Sequence, residues 1–101
     1  MSRDPRPLSL PLSSHAWSRM CGRRIPAAVV AAVLEHGRVV HVPGATVHVV
    51  GYREARSMRA RGVDLRRAEG VHVVCAPDGT VLTVYRNQDL RHLRPHTRAR
   101  R

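Results

Sequence analysis

His15 and Arg19 stand four residues apart, one helical turn, and that pairing of types has a definite chemical use. An imidazole can move a proton near neutral pH, and a guanidinium can stabilise the charge that builds on a phosphate as its bonds rearrange. Together they suit RNA cleavage without a metal, because the substrate's own 2′-OH is the nucleophile and the protein supplies only an acid or base and a cation. A second pair lies in Val81-Leu82-Thr83-Val84-Tyr85-Arg86. Strand alternation puts Leu82 and Val84 on one face and Thr83 and Tyr85 on the other. With helices over the Leu82 face, the hydroxyl face becomes a floor for a nucleic-acid strand, where Tyr85 stacks on a base and the hydroxyls bond phosphate or 2′-OH. The plainer readings are a solvated His and Arg on an amphipathic helix, and two good strand formers on a half-exposed face.

Charge supports a polyanionic partner. Eighteen Lys+Arg against seven Asp+Glu give +11 with neutral histidines, a balance that favours nucleic acid or an acidic surface. Every one of those cations is Arg. Lys and Phe are absent and Ile25 and Asn87 are single, so the depletion follows AT-rich codons and the arginine excess is the better signal. Several chemistries are excluded by what is missing. There is no Gly-rich phosphate loop, no Gly-x-Ser-x-Gly elbow, no pair of spaced carboxylates and no Cys-x-x-Cys. His92 and His96 have helical spacing, but Pro95 between them breaks the helix a zinc site would need, so no metal and no cofactor are expected. His41, His48 and His72 read as cross-strand surface residues.

The elements that must position these groups follow from length and pattern. A chain of 101 residues is one domain with one core. Residues 1–12, with Pro5, Pro7 and Pro11, read as a flexible extended arm, residues 13–94 as a single domain, and residues 95–101 as a basic tail. Ser13 and Ser14 suit the cap of a first helix, with Trp17, Met20 and Cys21 on one face and His15, Arg19 and Arg23 on another. Pro26 suits the first turn of a second helix and Gly37 its C′ position. Four Val-enriched runs follow, at residues 38–42, 46–52, 71–76 and 80–86, joined in pairs by Pro43-Gly44 and Pro77-Asp78-Gly79. The expectation is an α+β domain, two N-terminal helices packed on a mainly antiparallel four-stranded sheet of two hairpins. Between the hairpins, residues 54–69 read as a solvated, arginine-rich segment with Gly62 as a break. No run approaches the roughly 20 apolar residues of a membrane span. The opening residues lack a long apolar stretch, so a cytoplasmic setting is expected, with Cys21 and Cys75 as buried reduced thiols.

The order of short motifs adds a resemblance. Ser14-His15-Ala16 with Arg19-Met20, then Arg23-Arg24-Ile25-Pro26, Leu34-Glu35-His36-Gly37, Gly70-Val71-His72-Val73-Val74 and Thr83-Val84-Tyr85-Arg86-Asn87 resembles the domain-of-unknown-function family 4258, over residues 13–94. That family is similar to RelE-like and barnase-like ribonuclease toxins, small folds whose sheet accepts RNA on the face away from the helices. The resemblance implies His15 as the proton-transfer group, Arg19 as a phosphate-binding cation, and Thr83 and Tyr85 facing the scissile bond. Arg23, Arg86, Arg91 and Arg94 are further candidates for phosphate binding. Arg86 has the opposite strand parity to Tyr85, and the arginine-rich segment between Tyr52 and Gly70, where Glu54 has Arg neighbours to pair with, departs from the family pattern.

The function expected is thus a toxin-type RNA endonuclease with a 2′,3′-cyclic phosphate product, acting on RNA and opposed by an acidic antitoxin protein. Two other readings stand beside it: a non-catalytic RNA- or DNA-binding module, and a small adaptor docking an acidic protein.

Overall fold

The computed structural model describes residues 10–87. The order of elements is α1 (Ser14–Arg23), α2 (Ala27–His36), β1 (Arg38–Val42), β2 (Ala45–Val49), α3 (Tyr52–Ala60), β3 (Val71–Cys75) and β4 (Val81–Arg86). The four strands form one antiparallel sheet in the order β1-β2-β3-β4, two hairpins joined through α3. This is the α+β arrangement the pattern predicts. Gly44 and Gly79 take the positive φ their turns require, at 76° and 93°. Asp78 tightens the second turn by accepting the Thr80 N–H at 2.9 Å, a bond that holds its carboxyl pKa below the usual value.

The core lies on one face of the sheet. Val71, Val73 and Cys75 of β3 and Val81 and Val84 of β4 meet Ala16 and Met20 of α1 and Val29, Val30 and Val33 of α2. Fully burying each such valine contributes about 1.5 kcal/mol. Ser13 caps α1, its hydroxyl accepting the Ala16 N–H at 3.0 Å. The helix ends in a left-handed turn at Arg24 (φ 55°), and the Ile25 N–H returns to the Met20 carbonyl at 2.9 Å. Pro26 is the cap of α2 rather than a first-turn residue, and its carbonyl accepts the Val29 and Val30 N–H groups.

Three further expectations change. Residues 10–12 are packed: Leu10 and Leu12 rest on the core, and Leu12 bridges to Val81, whose N–H bonds the Pro11 carbonyl at 2.7 Å. A proline can join a sheet edge as an acceptor, because the N–H it lacks is not asked for there. The segment after β2 is also anchored. Its α3 starts at Tyr52, Glu54 accepts the Gly51 N–H at 2.7 Å instead of pairing with an arginine, and Leu65 and Ala68 are buried in the core. Sparse apolar residues among many arginines hid that amphipathic character. Finally, Gly37 is not left-handed (φ −73°). A Cβ there would meet the carbonyl oxygens of Val33 at 2.6 Å and Val49 at 2.9 Å, so glycine is required by the close approach of the helix end to β2.

Two measurements check this packing. Gly37→Ala should destabilise the protein by about 1–3 kcal/mol, the scale of forced backbone shifts, read as a drop in the urea midpoint. His48 lies on the helix-covered side opposite Val73, and burial first, then the neighbouring His41, lowers its pKa. The unfolded chain therefore takes up this proton more readily, so the stability His48 contributes is present above the ordinary histidine range and lost as pH falls through it. Melting temperature should fall between about pH 7 and pH 5, and fall less in His48→Gln.

Candidate functional site

The strand that carries Thr83 and Tyr85 is irregular, and the irregularity decides what its faces show. Register pairs Val74 with Thr83 but Cys75 with Val81, leaving Leu82 as the extra residue of a β-bulge. The bulge turns Val81 into the core beside Val84 and leaves Leu82 38% exposed. Leu82 therefore does not share the covered face with Val84, as strict alternation would have it. Beyond the bulge the alternation is regular. Thr83 and Tyr85 share the side away from the helices with Val74, His72, Val47 and Val49, their register partners.

Tyr85 is half-buried there, one ring face stacked on His72 with centroids 4.7 Å apart and planes 16° apart. Burial pushes its phenol pKa up, so the hydroxyl keeps its proton at neutral pH. His72 is fully buried and not a surface residue; its Nδ1–H donates to the Gly70 carbonyl at 3.0 Å. It supports Tyr85 from beneath, a role that strand periodicity does not reveal.

On α1, His15 and Arg19 are exposed and meet: Arg19 Nε donates to His15 Nε2 at 3.2 Å. In that bond Nε2 is the acceptor, which matches the tautomer that carries its hydrogen on Nδ1. One turn further, Arg23 Nη1 donates to the Val84 carbonyl at 2.8 Å. At the other end of the helix the Ser13 hydroxyl donates to the Leu82 carbonyl at 3.2 Å. The stripe His15-Arg19-Arg23 is thereby laid along the outer edge of β4, and the edge strand is blunted against pairing with another chain. The arrangement straddles that edge, His15 and Arg19 on the helix side and Thr83 and Tyr85 on the opposite sheet face. Among the described residues no hydrogen bond joins the two pairs.

The other candidates divide. Arg23 is tied to backbone, so its first role is to fix α1. Arg86 turns away from Tyr85, as its parity requires, and Nη1 donates to the Arg67 carbonyl at 3.1 Å. Arg91 and Arg94 lie outside the described residues. Cys75 is buried, which raises its thiol pKa, whereas Cys21 is exposed and not a buried thiol, because Ala16 and Met20 are the fully buried residues of α1. Among the described residues no three His, Cys, Asp or Glu side chains converge as a metal site, and no helix is long and apolar enough to cross a membrane.

Comparison of the chain with protein-family models, with curated proteins and with solved structures finds no match. The geometry of the chain's own residues therefore carries the functional argument.

If Arg23 fixes the stripe against β4, Arg23→Ala should cost about 1–2 kcal/mol, the scale of a part-exposed charge-assisted hydrogen bond, measured by chemical unfolding.

Proposed function

We propose that this protein is an RNA endonuclease of the toxin type, cleaving by attack of the substrate's own 2′-OH. The observation that carries the reading is the exposed Arg19–His15 hydrogen bond, set by Arg23 against the edge of the strand bearing Thr83 and Tyr85. A phosphate drawn to Arg19 competes for its Nε–H and frees the lone pair on His15 Nε2. That nitrogen takes the 2′-OH proton, the 2′-oxygen attacks phosphorus, and the bond to the 5′-oxygen breaks as that oxygen takes a proton from solvent. The products are a 2′,3′-cyclic phosphate and a 5′-OH. Arg19 stabilises the charge on the phosphorane oxygens, and the Tyr85 hydroxyl, protonated and held by His72, is a donor for the same strand of RNA. Thr83 adds a second hydroxyl on that face.

The net charge supports an RNA partner over a neutral one. It also supports an acidic protein as the natural antagonist, since such a protein would cover the same arginines. The resemblance to the domain-of-unknown-function family 4258 agrees with both.

End-labelled RNA incubated with purified protein in EDTA should yield cyclic-phosphate ends, and His15→Ala should lower the rate by about 10²-fold or more. RNA bound but left intact by the wild-type protein would overturn catalysis in favour of a binding module. A rate unchanged in His15→Ala would remove the imidazole from the mechanism.

A further inference from the structure

The two flanks of α1 differ. One carries the His15 stripe; the other, with Trp17 and Cys21, opens on a cavity of ≈ 480 Å³. Buried Met20 and Ile25 floor it, Trp17 and Pro26 wall it, and Arg24 and Arg67 reach it from positions far apart in sequence. No carboxylate lines it, and among the described residues neither guanidinium has a carboxylate partner. The backbones of both arginines are pinned. Arg24 occupies the left-handed turn that ends α1, a conformation unfavourable to an arginine. The Arg67 carbonyl is held by Arg86. Two cations carried on held backbone and lining an apolar recess with an indole in its wall specify a ligand with a planar apolar body and an anionic group.

We propose that this groove is a nucleotide subsite, in which Trp17 stacks on a base while Arg24 and Arg67 hold its phosphate. The shared chemistry is a nucleobase with its phosphate, from a free nucleotide or from an RNA strand; the second source rests on the endonuclease reading. Within an RNA strand, the subsite places a base on the far flank of the helix that carries His15, extending the bound strand beyond the cleavage site.

Trp17 is the chain's only tryptophan, so its fluorescence reports the groove directly. Titration of the His15→Ala protein with adenosine 5′-monophosphate, and separately with a short single-stranded RNA, should give saturable quenching. Adenosine alone and inorganic phosphate alone should bind more weakly. Arg24→Gly, which suits the left-handed turn, and Arg67→Ala, which keeps the carbonyl used by Arg86, should each weaken quenching about tenfold. Bound ligand should also slow alkylation of exposed Cys21 by iodoacetamide while Cys75 stays unreactive. Quenching by the mononucleotide assigns a free nucleotide, and quenching by RNA alone assigns a base within a strand. Absence of quenching by both, quenching indifferent to both arginine substitutions, or preference for decanoate over the nucleotide would overturn the subsite. Cleavage by wild-type protein without quenching removes the subsite alone; quenching without cleavage removes the endonuclease reading alone.

Discussion

The joint between α1 and the edge of β4 is the constraint on which the rest of this molecule depends. The bulge at Leu82 puts Val81 and Val84 both into the core, where Ala16 and Met20 cover them. The same irregularity leaves the carbonyls of Leu82 and Val84 facing outward, and Ser13 and Arg23 take one each. A helix ten residues long is marginal in water by itself, so its position comes from these two ends and the apolar contact between them. Because the joint is narrow, α1 has two free flanks. One displays His15 and Arg19, and the other forms the groove of Trp17, Arg24 and Arg67.

Charge is distributed with the same economy. Two of the few acids serve local geometry: Glu54 caps α3 and Asp78 closes a turn. Asp64 binds Arg66 through both carboxylate oxygens, which holds its pKa at about 2, in a fully exposed pair that gives little stability. Many arginines of α3 and the following turn face solvent, and Arg53, Arg56 and Arg59 repeat at the three-residue spacing where like charges repel. A polyanion relieves that repulsion, which ties the charge of the chain to its surface rather than to its core.

The cores of sheet and helices are mostly valine, and valine patterning made much of the fold legible. Both hairpin turns, the two first helices and the sequence of strands follow from turn residues, caps and runs of β-branched side chains, all of which act over a few neighbouring residues. The His15–Arg19 pair was legible for the same reason, since four-residue spacing on a helix is itself a distance. The segment 52–69 was less so, because Leu65 and Ala68 become core only by joining a cluster built by α1, α2 and β4, far away along the chain.

What the sequence determined by itself, then, is what local chemistry can decide: the α+β class, the turns at Gly44 and Gly79, the cap at Ser13 and a basic surface suited to a polyanion. Tertiary structure alone decided the bulge that exchanges Val81 for Leu82, the burial of His72 beneath Tyr85, the need for glycine at position 37 and the placing of Arg24 and Arg67 on one groove. Each of these depends on backbone from a distant segment arriving within a few ångströms, and no periodicity along one strand or helix carries that information.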